Sequence, residues 1–269
     1  MDVLYFLRER TRFIRFMFDS ATAPFSSIKH KIENAEPPFE PPYSKDGEPP
    51  FLAERMEAEE GLQAEPPLEP PYSKDGEPPF LAEWMEAEEG LQVVGRMCIS
   101  MLSAALQLYF KTWEDELGLK WESAAERKAY FERGFVAGYR RAFGEVLSLS
   151  WDECPANFDV LEQLVLARNR DQHPDHIAKL GVSHRYEELR RFAEPIFLSD
   201  RDRNRLANDP DAADIRWLTP AIHVSRDAFI IAVSEVEKLA EWLEGHMIAK
   251  KYGHKRWADE SLPSDQGSK

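Results

Sequence analysis

Apolar side chains recur at three- and four-residue spacing over most of the chain, the period of helices with one buried face. Residues 3–18 predict an amphipathic helix, followed by a break at Ala23-Pro24 and a shorter helix over 26–34. A long helix is expected over 80–117, with Val94, Cys98, Met101, Ala105, Leu108 and Tyr109 on its apolar stripe. Ser123-Ala-Ala-Glu126 has the form of a capping box, heading a helix whose stripe is Phe135, Tyr139, Ala142, Phe143 and Val146. Asn157 is placed to cap a third helix carrying Phe158, Leu161, Leu164 and Val165. Residues 195–199 and 221–224 read as a small strand pair around a polar loop. A last helix follows Ser225 and turns Phe229, Val233, Val236, Leu239, Leu243 and Met247 inward. The expected fold class is mainly α, a helical bundle with a small strand pair before its last helix.

One stretch breaks this pattern. Residues 36–63 read EPPFEPPYSKDGEPPFLAERMEAEEGLQ and residues 65–92 read EPPLEPPYSKDGEPPFLAEWMEAEEGLQ, matching at 26 of 28 aligned positions. The exceptions are Phe39 against Leu68 and Arg55 against Trp84. A stable solenoid needs about three stacked units, so two near-identical copies point to a recent duplication. Each unit begins with a Pro-rich half suited to extended linker and ends in a Glu- and Ala-rich, helix-prone half. Only the second copy runs directly into the apolar helix after Val93. The arm is expected to be a solvated insertion, with an acidic partner-binding surface as the functional alternative.

Charge follows the same division. The whole chain has 269 residues and a net charge of −15, but residues 36–92 alone hold three basic and sixteen acidic side chains. The remainder is nearly neutral, so the overall acidity does not exclude contact with RNA. The expected organisation is an N-terminal helical segment over 1–35, the tandem repeat over 36–92, a bundle over 80–250 and a polar tail over 251–269.

The N-terminal segment has no continuous apolar core or small-residue cleavage site, which argues against a secretory signal. No apolar run approaches the roughly 18–20 residues of a membrane span, and acidic residues interrupt the polar face of the first helix; no membrane partner is expected. Cys98 and Cys154 form neither a C-x-x-C motif nor a disulfide framework, and Cys98 sits on an apolar stripe as a packed thiol. A soluble, cytoplasmic protein is the resulting expectation. Serine-hydrolase, Walker and dinucleotide motifs do not occur in the sequence.

The candidate chemistry lies at the end of the third core helix, which reads Leu164-Val-Leu-Ala-Arg168-Asn169-Arg170-Asp171-Gln172-His173-Pro174. Arg168 falls four residues after Leu164 and seven after Leu161, so helical geometry aims its guanidinium along the apolar stripe. A charge there calls for an anionic partner or a shared cleft. His173 lies about 140° around an unbroken helix from Arg168, but Pro174 pushes it out of helical geometry and lets it swing back. Three pairs share this spacing class: Arg168/His173, Arg170/His176 and Arg216/His223. The third spans Pro220, and the second starts two residues off the stripe; context selects the first.

The segment Arg168-Asn169-x-x-x-His173, at the end of an apolar helix in a helical bundle, resembles the R-x4–6-H signature of HEPN domains. The resemblance covers roughly residues 80–250 and implies a metal-independent endoribonuclease acting as a homodimer, the motifs of both subunits meeting in one cleft. It also implies no cofactor, RNA as the partner, and toxin–antitoxin or defence roles with a neutralising partner protein. Other members of that family are catalytically inactive and bind partner proteins or nucleotides.

These residue types suit the reaction. RNA is cut without metal when its 2′-OH is deprotonated and attacks the adjacent phosphate. A histidine titrating near neutrality transfers the protons, as His173 would. Arg168, helped by Arg170, would hold the phosphate and stabilise charge developing on its oxygens, with Asn169 orienting one partner. The plainer alternatives are that Arg168 pairs with Glu162, Glu187 or Glu188 and that His173 merely caps the helix end. Asp171, His173, Asp175 and His176 also contain metal-ligating groups, but without a ligand spacing that fixes a geometry; no metal is expected.

Overall fold

A computed structural model describes residues 2–39, 78–172, 182–208 and 220–259 of the chain. Most of the tandem repeat therefore lies outside the described residues. The described part is mainly helical: α1 (Val3–Glu33), α2 (Leu81–Glu116), α3 (Ala124–Tyr130), α4 (Phe135–Leu147), α5 (Phe158–Gln172), α6 (Tyr186–Leu189), α7 (Asp200–Asn208) and α8 (Arg226–Asp259). Helix α8 continues into the stretch expected as a polar tail.

Helix α1 starts where Asp2 accepts a hydrogen bond from the Tyr5 amide at 2.8 Å. It then runs straight through Pro24, so the expected break is absent. Proline removes the amide that would bond the Ser20 carbonyl, but Pro24 is exposed and water can take that carbonyl. Beyond it, the last turns of α1 are fixed by packing on α2. Phe25 fits against Gly90 so closely that an added Cβ there would lie 2.5 Å from its ring. Lys29 pairs with Glu88, and the Trp84 indole donates to Glu33 at 3.0 Å. Burial of residues such as Ile32 contributes roughly 1.5–3 kcal/mol each, comparable to the ~3 kcal/mol that an interior proline costs.

Helices α1 and α2 form an antiparallel hairpin. At its far end Val3 and Leu7 share a groove with Ala105 and Tyr109. The α1 side chains Val3, Leu7, Ile14 and Phe18 join the same hydrophobic core as α2, α4, α5 and α8, so residues 1–35 belong to the bundle. Phe18 stacks on Phe229 at 4.3 Å, and Phe110 stacks on Tyr139 at 4.8 Å. Along α2 the buried arc centres on Ile99, Leu102, Leu106 and Trp113. Leu108, expected on the inward stripe, falls outside that arc and is 44% exposed. An 18-residue stretch of α2 has a mean hydropathy of 1.4, long and apolar enough by composition to cross a membrane, and 56% of it is buried in the fold. That corrects the expectation that no segment approaches a span.

The Ser123 cap is present: its side chain accepts from the Glu126 amide at 3.1 Å, while Glu126 accepts from the Glu122 amide. The helix expected after it divides into α3 and α4. Gly134 separates them with φ +121°, a backbone that L side chains rarely adopt, and the Glu162 carboxylate fills the space its missing side chain leaves. Asn157 caps α5, accepting from the Asp159 amide at 2.9 Å, and Ser225 caps α8, accepting from the Ala228 amide at 3.1 Å. The expected strand pair is replaced. Among the described residues the extended pairing is one antiparallel bridge, Ser183 with Ala221, and residues 200–208 form α7. The Ile222 amide donates to the Val182 carbonyl at 2.7 Å, and the His223 amide reaches Phe197 at 3.1 Å. Residues 182–184 thus take most of the extended partnership that 195–199 was expected to hold, Phe197 keeping one backbone hydrogen bond to His223.

Helix α8 closes the bundle with carboxylates as well as apolar contacts. Glu244 is buried; it accepts from the Tyr109 hydroxyl and the Trp113 indole, both at 3.0 Å, and from the Leu4 amide at 3.2 Å. Glu235 accepts from the Asn157 amide at 2.6 Å, and Glu237 from Thr11 and Arg15. Hydrogen bonds to a charged group contribute about 1.5–3 kcal/mol each, and stranded donors cost more than bonds never made. Glu244→Ala should therefore lower unfolding free energy by about 3 kcal/mol in urea titrations. Glu244→Gln, which keeps an acceptor oxygen, should recover about half of that loss. Equal effects for the two would show that packing rather than acceptance is what matters at this position.

Candidate functional site at the end of helix α5

Helix α5 is anchored along one side by Leu161, Leu164 and Val165, all buried, and by Gln163. The Gln163 amide donates to the Glu194 carbonyl at 3.2 Å and accepts from the Ile196 amide at 2.8 Å, fixing the segment that follows α6. Near its C-terminal end, Asp171 accepts from Ser100 at 3.2 Å and lies 3.5 Å from the Arg96 guanidinium. Arg96 is itself buried and donates to Glu89 at 2.8 Å. The last turn of α5 is thus tied to α2.

The two arginines of that turn differ. Arg170 makes a two-pronged contact with Glu188, Nε to Oε2 at 3.2 Å and Nη2 to Oε1 at 2.5 Å, with both side chains largely buried. Its guanidinium is committed to that carboxylate rather than presented to a phosphate. Arg168 is half-buried. Its Nη1 donates to Asn169 Oδ1 at 3.0 Å, and its buried Nε finds no acceptor among the described residues. It has no carboxylate partner there either. Glu188 is taken by Arg170, while Glu162 caps α4 through the Val136 amide, its carboxyl pushed up by burial. The Glu187 side chain lies outside the described residues.

The structure therefore brings Arg168 and Asn169 together and draws Arg170 to another task. His173 lies outside the described residues, as do Asp175, His176 and Arg216. Asp171 is engaged with Arg96 and Ser100, and among the described residues no three His, Cys, Asp or Glu side chains gather as a metal site. Cys98 is buried, and its thiol is pushed up to about 11 by that burial, which suits a packed rather than a reactive sulfur.

A neighbour not anticipated from sequence is His184. Its Nε2 lies 2.8 Å from the Phe197 carbonyl, which fixes the tautomer with that nitrogen as donor. Burial lowers its pKa, opposed by the Phe197 bond and the Glu188 and Asp202 charges, so it sits electrostatically beside the Arg170–Glu188 pair. Nothing in the local sequence marks it, because the bridge that carries it over α5 is built from residues distant along the chain. His223 is likewise lowered, by burial against the pull of Glu88 and Asp200.

Comparison with known families, with curated proteins and with solved structures finds no match to this chain. Function must therefore be argued from the residues themselves.

Arg170 and Arg168 should separate in stability. Arg170→Met leaves Glu188 desolvated and unpaired and should cost about 2 kcal/mol in urea unfolding. Arg168→Met keeps the apolar stem, removes an unsatisfied Nε, and should leave stability within about 0.5 kcal/mol or raise it. A loss at Arg168 as large as that at Arg170 would mark it as structural.

The two depressed histidines also set a pH dependence. As pH falls through about 6.5 the unfolded chain takes up protons that folded His184 and His223 resist, so stability present above 6.5 is lost below it. The urea midpoint should fall between pH 7 and pH 5.5, and less so in His184→Gln. An unchanged slope in that variant would remove His184 from the effect.

Proposed function

We propose that this chain is a metal-independent endoribonuclease of HEPN type that works as a homodimer. The observation that carries the reading is Arg168: a half-buried guanidinium at the end of a core helix, without a carboxylate among the described residues and steadied by the adjacent Asn169. A half-buried arginine without a carboxylate among the described residues is suited to an incoming anion, and a phosphodiester supplies one.

In this reading Arg168 binds the scissile phosphate and stabilises the charge that grows on its non-bridging oxygens. His173 removes the proton from the 2′-OH, whose oxygen attacks the adjacent phosphorus and displaces the 5′-oxygen of the next nucleotide. That leaving oxygen takes a proton, and the products end in a 2′,3′-cyclic phosphate and a 5′-OH. One histidine per chain serves both proton transfers poorly; a two-fold dimer supplies two. Asn169 orients Arg168 through its side-chain oxygen. Arg170, paired with Glu188, holds the turn that carries Arg168. Toxin or defence roles with a neutralising partner belong to the same proposal.

A second reading, a catalytically silent HEPN-like interaction protein, is favoured by one observation: the outer face of the α1–α2 hairpin exposes large apolar side chains.

Cleavage of mixed structured and single-stranded RNAs in excess EDTA separates the two. Wild type should cut, while His173→Ala should lose a factor of about 100 or more, and Arg168→Met should lose a similar factor. Intact RNA with every protein would overturn the nuclease; equal cutting by all three would place the activity elsewhere.

A further inference from the structure

The second copy of the tandem repeat supplies the first turns of α2, and those turns meet the C-terminal half of α1. The ring of Phe25 occupies the space beside Gly90, 2.5 Å from where a Cβ would stand. Lys29 pairs with Glu88 and lies 4.4 Å from the centre of the Trp84 ring, whose indole donates to Glu33 at 3.0 Å. Ala87 is buried. Gln92 Oε1 accepts from the Val224 amide, and Glu89 accepts from Arg96, both at 2.8 Å. Residues 25–33 of α1 thus form a cradle that reads a glycine, a glutamate two residues before it and an aromatic ring six before it.

All but one of these groups occur again 29 residues earlier. Residues 51–63, which lie outside the described residues, read FLAERMEAEEGLQ against FLAEWMEAEEGLQ for residues 80–92. Gly61 stands for Gly90, Glu59 for Glu88, Ala58 for Ala87, Glu60 for Glu89 and Gln63 for Gln92. Only Trp84 is changed, to Arg55. A chain lacking residues 35–63 and one lacking residues 64–92 would differ at two positions alone, Phe39/Leu68 and Arg55/Trp84. Among the described contacts of the cradle, those of Trp84 are what distinguish the copies.

We infer that the C-terminal half of α1 is a docking surface for either copy, so that the hairpin has two registers 29 residues apart. The first seats residues 81–92 against α1, and the second seats residues 52–63 in their place. The chain can reach. The Phe39 ring lies 5.3 Å from that of Phe80, and Phe51 is twelve residues beyond Phe39, a link that spans about 40 Å when extended. On the other side residues 64–92 leave as a loop, whose closure costs only the logarithm of its length. Glu60 then meets Arg96, which lies 3.5 Å from Asp171, so either copy completes the contacts that tie α2 to the last turn of α5. Two features make the first register the major one. Arg55 brings a positive charge to Lys29 where Trp84 offers a ring, and α2 runs unbroken from Leu81 through Val93. The inference stands on the repeated cradle residues and not on the ribonuclease reading.

Thiol linking of the full chain tests it, in a Cys154→Ser background that leaves only the buried Cys98 as a native thiol. Lys29→Cys is combined with Glu88→Cys to report the first register, with Glu59→Cys to report the second, and with Glu57→Cys as control. Glu57 stands for Glu86, which is exposed on α2. A short bis-maleimide is added in dilute solution, and linked peptides are counted by mass spectrometry. The Glu59→Cys chain should link internally about tenfold more than the Glu57→Cys chain, because only docking raises the effective concentration at one face. Trp84→Arg should raise the Glu59→Cys link about fivefold and lower that of Glu88→Cys. Arg55→Trp should raise it likewise, and serves if Trp84→Arg misfolds by circular dichroism. Equal linking at positions 57 and 59 would mark chance encounters and overturn the inference. So would a Glu59→Cys link that neither tryptophan–arginine exchange moves, or one found only between two chains, which would seat the first copy on a neighbouring molecule.

Discussion

Glu244 is where the bundle is joined. A single buried carboxylate on α8 accepts from the Leu4 amide at the start of α1 and from Tyr109 and Trp113 on α2, the last two bonds being buried. Burying a charge is expensive unless its oxygens are satisfied, and here three donors from two helices converge on it. Apolar contacts bring α1, α2 and α8 together without fixing their register; hydrogen bonds to one buried acceptor do fix it. Once α2 is registered on α8, Ser100 and Arg96 are positioned to meet Asp171, and the last turn of α5 follows.

How much of this was legible varies by the kind of signal. Caps were readable because a short side chain must meet an amide two or three residues away; Ser123 and Asn157 both do so. The long buried stripe of α8 was readable because a 3.6-residue period sustained over many turns matches the geometry of a helix with one buried face and no strand. Pro24 misled because proline reports only the loss of one local bond, while Phe25, Lys29 and Glu33 gain their partners from residues more than fifty positions away. The split at Gly134 depends on Glu162 filling the space beside it, which no local pattern encodes. Extended residues near 221 were visible as extended, but their partner was not, since a bridge between distant segments leaves no periodicity in either.

The candidate site divides in the same way. That Arg168 would be partly buried follows from its spacing after Leu161 and Leu164. That Arg170 would be spent on Glu188, while Arg168 has no carboxylate among the described residues, required tertiary structure: both arginines sit in one turn and both had glutamates within reach along the sequence. The two arginines differ in what holds them among the described residues: a carboxylate for Arg170, the side-chain oxygen of Asn169 for Arg168.

The most direct test of the central claim is the fate of RNA whose 2′ positions are blocked. A single-stranded RNA and its fully 2′-O-methylated counterpart are incubated with the wild-type chain in EDTA, and the product ends are read by mass spectrometry. Attack by the 2′-OH predicts 2′,3′-cyclic phosphate and 5′-hydroxyl ends from the unmodified strand and an intact methylated strand. Cleavage of the methylated strand, or 5′-phosphate ends that form only when magnesium is restored, would contradict it.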